Sequence, residues 1–144
     1  MTTRRESREW GVQLLFQLDL NPADNISNVF AGFWQEKQID QSMREFTENL
    51  VLGVRKNLQA IDDTIRKYAD NWHIDRMAVV DRNVMRMAIY EMLFCKDIPP
   101  VVSINEAVDI VKYFGSNESG RFVNGILDRI RKDIDRPART KDAP

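Results

Sequence analysis

The sequence has one cysteine, Cys95, and one histidine, His73, in 144 residues. A disulfide within the chain is therefore excluded, as is a metal centre built from several Cys and His ligands. Any triad that pairs Ser or Cys with His would have to run through His73. Gly and Pro are scarce, at six and five, and fall mostly between periodic segments, which predicts short loops. No apolar run approaches the ~20 residues that cross a bilayer. The start, Met1-Thr2-Thr3-Arg4-Arg5-Glu6, lacks the apolar core of a signal peptide, so a cytoplasmic location is expected. Neither charge sign dominates: 21 Lys and Arg face 22 Asp and Glu, for a net charge of −1. That balance removes any global pull toward nucleic acid, so any binding of that kind must come from local patches.

What is present is ordinary globular material, with 43% hydrophobic residues, too apolar for disorder and enough for one core. The spacing predicts an all-α bundle of about seven helices. The first spans about 4–20, opened by a Thr3–Glu6 capping box and closed at Asn21-Pro22. Its stripe is Gly11, Leu14, Leu15 and Leu18. The second covers about 26–36, with Val29, Phe30 and Phe33 on one side. From Asp40, apolar residues recur through Phe46, Leu50, Val54, Ile61, Ile65, Tyr68 and Trp72, with a break near Asn57 that makes two helices. The fifth, about 81–95, is apolar on two faces and should be central. Pro99-Pro100 stops it. A second capping box, Ser103 to Glu106, predicts that the sixth helix starts at Ser103 and ends at Gly115. Val101-Val102 reads as a short strand-like run without a partner. The seventh spans about 117–134, with Phe122, Val123, Ile126, Leu127 and Ile130 as its stripe. One domain over 1–136 and a polar, frayed tail over 137–144 are expected.

Candidates for catalysis are weak. Gly115 to Gly120 is rich in Gly, Ser and Asn, but no strand precedes it and no Lys-Ser/Thr follows, so it reads as a helix–helix turn. His73 lies in a linker. Cys95 closes an apolar helix and reads as core. Asp62-Asp63 reads as a solvated face. No cofactor motif is found, and the chain is not expected to be an enzyme. Binding features say more. Arg4, Arg5 and Arg8 crowd one edge of the first helix and could grip phosphates, or form a charged first turn with Glu6 and Glu9. Lys112, Tyr113, Arg121 and Phe122 bracket the Gly-rich turn, where cations and aromatics suit unstacked bases, though Phe122 also begins a core stripe. The basic C-terminal cluster, including Arg129, Arg131, Lys132, Arg136, Arg139 and Lys141, also suits a helix macrodipole.

The segment 100–115 contains I-N-E-A-V-x-x-x-K-x-F-G, and 122–128 follows with F-V-N-G-x-L-D. This long pattern resembles the signature of the NusB family of transcription antitermination factors. The first helix, with Gln13-Leu14-Leu15-Phe16-Gln17-Leu18-Asp19, resembles the family's R-x-x-A-x-Q-x-L-Y-Q-x-D. Asp62-Asp63 through Trp72 looks like its middle helix. Val80-Asp81-Arg82 through Tyr90-Glu91 resembles V-D-R-x-I-L-R-x-A-x-Y-E. The likeness covers about residues 4 to 131.

The resemblance implies two three-helix subgroups, with the last helix completing the second. It also implies binding of single-stranded boxA-type RNA in nascent ribosomal RNA transcripts, jointly with the small-subunit ribosomal protein NusE. RNA polymerase and other Nus factors follow as indirect partners. By position, Arg4, Arg5 and Arg8 match the family's RNA-contacting edge. Lys112, Glu118, Arg121 and Phe122 fall where its later helices meet RNA, with Tyr68 near the same surface. Asp75, Asp81, Arg82 and Arg86 are assigned to the protein partner. Asn105, Glu106, Asn124 and Asp128 are expected to be structural, Glu106 as a cap. Phe16 departs from a family tyrosine, and Glu6 and Glu9 dilute the edge. Alternatives are a protein-only module or homodimer, and the detached NusB-like domain of an RNA cytosine methyltransferase.

Overall fold

The computed structural model describes residues 3–70 and 73–134. Trp72 and the stretch 135–144, which holds the expected tail and Arg136, Arg139 and Lys141, lie outside the described residues. Seven α-helices and one 3₁₀ turn, Ile74–Arg76, make up the fold, and no strand occurs among the described residues. The helices are α1 (Arg4–Leu20), α2 (Ile26–Trp34), α3 (Gln41–Lys56), α4 (Leu58–Tyr68), α5 (Val79–Phe94), α6 (Pro100–Phe114) and α7 (Asn117–Asp133).

Local chemistry sets most of these boundaries. Thr3 caps α1: its hydroxyl accepts from the Glu6 N–H, and the Glu6 carboxylate accepts from the Thr3 N–H, completing the predicted box. Asn57 divides α3 from α4 by donating its side-chain amide to the Gly53 carbonyl at 2.8 Å. Ser116 caps α7, its hydroxyl accepting from the Ser119 N–H.

The sixth helix departs from expectation. It begins at Pro100, so Val101 and Val102 are helical. Proline's fixed φ is pre-organised for a first turn, and its missing N–H costs nothing there. Ser103 and Glu106 are therefore interior residues. Neither caps: the Ser103 hydroxyl donates to Glu91 at 2.8 Å, and Glu106 accepts from Arg5 and Arg8.

The apolar stripes converge on α5. It packs against α1 and α3 on one side and against α4, α6 and α7 on the other. Val84, Met85, Ile89 and Met92 are fully buried, as a helix apolar on two faces requires. Helices α1, α2 and α3 form one subgroup, while α4, α6 and α7 surround α5 as the second. Close approach of α3 to α5 depends on Gly53, where a Cβ would lie 2.1 Å from the Tyr90 ring. Cys95 is half-buried at the end of α5 rather than in the core.

Charge is buried in this core. Arg8 is 3% exposed and Glu91 1% exposed. The Arg8 guanidinium meets both Glu91 oxygens, at 2.8 and 2.9 Å, and the Ser103 hydroxyl adds a third bond. Asp62, read as a solvated carboxylate, is also buried and receives two bonds from Arg86 at 2.8 and 2.9 Å. Asp63 alone keeps the solvated role, pairing with exposed Arg66. Such bidentate pairs survive burial because each charge has a fixed, hydrogen-bonded counter-charge.

Removing one member leaves the other buried and unpaired. Glu91→Ala should lower unfolding free energy by about 3–5 kcal/mol. Asp63→Ala, on the exposed pair, should change it by less than ~1 kcal/mol. Urea unfolding followed by circular dichroism measures both; equal effects would contradict this division.

Candidate nucleic-acid interface

The N-terminal arginines share a helix edge but not an environment. Arg4 is exposed, with its guanidinium 4.7 Å from the centre of the Phe46 ring. Arg5 is partly exposed and reaches across to α6, donating to Glu106 at 2.9 Å and to Asp109 at 3.0 Å. The Glu106 hydrogen bond holds the Arg5 guanidinium in its charged form, and in return Arg5 holds the Glu106 carboxyl below its usual range. Arg8 is consumed by Glu91 and Glu106 inside the bundle. Its expected RNA contact is corrected by its burial: a guanidinium with two carboxylates and no route to solvent presents nothing to a phosphate.

The second candidate group gathers where α6 turns into α7. Gly115 ends α6 and Ser116 caps α7, so the turn is short and residues 117–120 are already helical. Lys112 is exposed, and its aliphatic stem lies over Gly120, where a Cβ would sit 2.7 Å from the Lys112 Cε. Gly120 thus lets the two helices close and lays the lysine along the junction. Tyr113 is 76% exposed beside the same turn. Glu118 and Arg121 are exposed, and Phe122 is half-buried against the core.

Phe122 and Arg121 form the wall between two clefts. The first, about 510 Å³, is lined by residues that include Arg76, Asp81, Glu118 and Ser119 on the other sides. The second, about 340 Å³, is closed by Ala69, Asp70, Gly125 and Arg129. Phe122 packs against the core and also lines both clefts. Tyr68 is half-buried, and its hydroxyl donates to Asp133, a hydrogen bond that raises the phenol's pKa.

The residues assigned to a protein partner do not form one exposed surface. Asp75 is exposed in the 3₁₀ turn. Asp81 is buried beside the first cleft, where burial raises its carboxyl pKa against a hydrogen bond from Ser119. Arg82 is largely buried, pairs with Asp19 and donates to the Ile74 carbonyl at 3.2 Å. Arg86 is spent on Asp62, Asp19 and Asn83. Burial works to raise the Asp19 carboxyl, but the Arg82 hydrogen bond and the charge of Arg86 outweigh it and leave its pKa low. For Arg82 and Arg86 the assignment is corrected by this geometry: their guanidiniums join α1, α4 and α5 from within. Asn105 and Asn124 are exposed rather than set into a junction, and Asp128 pairs with Arg131 and Lys132 of its own helix.

The NusB family model matches residues 5–132. The chain belongs to the NusB family. It is 43% identical over 138 residues to the transcription antitermination protein NusB of Methylacidiphilum infernorum, covering 96% of each chain. To that of Desulforapulum autotrophicum it is 46% identical over 140 residues, covering 94% of this chain and 97% of the relative. Among solved structures it is similar to T. maritima NusB, with a TM-score of 0.84, 41% identity and 92% coverage of both chains. It is also similar to a chain in a crystal structure of the antitermination factors NusB and NusE in complex with double-stranded RNA. There the TM-score is 0.82 at 30% identity, over 91% of this chain and 97% of that one.

Within this NusB-family chain, the sequence reading gave no role to Asp19 and Glu91 and took Asp62 for a solvated residue, although these carboxylates hold Arg8, Arg82 and Arg86 inside. A signal was available. Arg8 stands three residues before Gly11 and seven before Leu15, on the apolar stripe of α1. Glu91 shares a face with Val84, Met87 and Ala88. A charged residue on a core stripe calls for a buried partner.

Glu106 ionises more readily in the fold than its ordinary value of 4.5. Its stabilisation is therefore complete above that value and is lost as pH falls below it, through the depressed folded-state pKa. The stability gap between wild type and Glu106→Gln should be constant near neutral pH and close as pH drops below 4.5. Urea titrations across that range check this; a gap undiminished at about pH 3 would contradict it.

Proposed function

We propose that this chain is a transcription antitermination factor that binds boxA-type RNA of nascent ribosomal RNA transcripts together with ribosomal protein NusE. The observation that carries the reading is the Arg121–Phe122 wall between two clefts, in a chain that shares its fold with a NusB solved alongside NusE and RNA. It acts in the cytoplasm by binding and catalyses no reaction. RNA polymerase and the other Nus factors are reached through the assembled complex.

The interface works by division of labour. Arg4, Lys112 and Arg121 are exposed cations that neutralise phosphates as condensed counterions leave. Arg5 joins them only by exchanging a carboxylate for a phosphate, since Glu106 and Asp109 already hold it. Phe122 offers a ring face to a base splayed into either cleft, and Glu118 can accept from exocyclic amines at the rim. Tyr68 meets α7 further along, where its hydroxyl donates to Asp133. Asp75 and the rim of the first cleft, where Asp81 lies, are the parts of the expected partner set still open to NusE.

With few unpaired cations and a net charge of −1, the chain alone grips RNA weakly, and NusE supplies the remaining contacts. Anisotropy of a labelled boxA-type RNA, with a scrambled control, should show selective binding that tightens when NusE is added. Phe122→Ala should weaken it by roughly 1–3 kcal/mol, the range for loss of one stacked base. Selective binding absent with and without NusE would move the function to a protein-only module.

A further inference from the structure

The second cleft contains a cation that the reading above leaves unused. Arg121, Gly125 and Arg129 stand four residues apart on α7 and share one face, with about 12 Å between the first and last. That is roughly three steps of a stacked strand at ~3.4 Å each. Phe122 borders the same cleft, and at Gly125 nothing lies within 4 Å of where a Cβ would be, so the floor between the two arginines is open. One turn beyond Arg129, Asp133 accepts from Tyr68. Arg129 therefore stands between Phe122 and Tyr68, two residues far apart in sequence that the fold sets along one helix face.

Arg129 is oriented and accessible. Its Nε donates to the Gly125 carbonyl at 3.2 Å, and its Nη1 pairs with Asp70 at 2.7 Å. The Arg129 and Asp70 side chains are 47% and 67% exposed. Asp70 adopts φ 44°, a left-handed backbone that Asp tolerates better than most residues. That turn at the end of α4 brings its carboxylate to the guanidinium. An exposed pair held by a single bond is weak and salt-screened, and a phosphate oxygen can take the place of the one carboxylate oxygen it would displace.

We propose that Arg129 is an RNA-phosphate contact, extending the strand's track from Phe122 along α7 toward Tyr68, and that Asp70 competes for it as a built-in phosphate substitute. The inference rests on the RNA-binding reading and adds a residue and a competitor to it.

The test is a double-mutant cycle on boxA-type single-stranded RNA, with NusE present, across a salt series. Arg129→Ala should weaken binding roughly three- to tenfold and reduce the salt slope by about 0.7, the share of one phosphate. Asp70→Asn should tighten binding, and the gain should vanish in the Arg129→Ala background. Thermal melts unchanged by either exposed substitution would exclude a folding effect. Arg129→Ala with wild-type affinity and slope overturns the proposal, as does an Asp70→Asn gain that survives loss of Arg129. If the unsubstituted chain binds no RNA, the functional reading falls as well. If binding falls with Phe122→Ala but not with Arg129→Ala, only the Arg129 assignment is lost.

Discussion

Glu91 places a carboxylate in the middle of the bundle, and the Arg8 guanidinium makes that burial tolerable. A lone ionised group at 1% exposure would cost several kcal/mol, so α1 must deliver Arg8 to α5 wherever the chain is folded. Apolar packing of Leu14, Leu15 and Leu18 tolerates small shifts; a two-point guanidinium–carboxylate match does not. The pair therefore fixes both the rotation and the axial position of α1. Ser103 extends the constraint into α6 through its bond to Glu91, and Glu106 extends it back to Arg8 and Arg5. Three helices from distant parts of the chain are registered by one buried cluster.

That register decides what the surface offers. With Arg8 drawn inward, Arg4 is left exposed over Phe46 and Arg5 lies on Glu106 and Asp109. The same logic governs the other end of α5, where Asp19 and Asp62 take Arg82 and Arg86 out of circulation. Among the cations that remain outside, Lys112, Arg121 and Arg129 lie on α6 and α7, near a half-buried aromatic ring and two clefts. A chain with no net positive charge thereby keeps a few outward cations beside the clefts, among the carboxylates of Asp70, Asp81 and Glu118. It achieves this by burying arginines against acids in the core and leaving others exposed.

Much of the fold was legible because helices announce themselves locally. Thr3 and Glu6, Asn57, and the apolar period of α5 each act within a few residues, and each predicted element appears close to its expected bounds. Ser103 and Glu106 fit a capping pattern equally well, yet their partners are Glu91, Arg5 and Arg8, and Pro100 had already started the helix. Arg8 lies 83 positions from Glu91, and Arg86 lies 24 from Asp62. Periodicity can place these residues on a stripe but cannot name what they meet across it. For the candidate site, the sequence located the α6–α7 junction and the basic first helix. Arg4 and Arg8 share a face, and only the place of Arg8 on the apolar stripe of α1 hinted that one is buried and the other exposed. The second cleft was invisible, since it forms only where the end of α4 meets α7.

On the proposed function, RNA meets this chain on the α6–α7 junction and the outer arginines, not on the buried ones. Backbone amide chemical-shift mapping of the isotope-labelled chain, titrated with boxA-type RNA in the presence of unlabelled NusE, tests it most directly. Shifts that depend on RNA and cluster at Arg4, Arg5, Lys112 and residues 118–129 would support the account. RNA-dependent shifts centred on α2 and the outer face of α3, with the junction unperturbed, would contradict it.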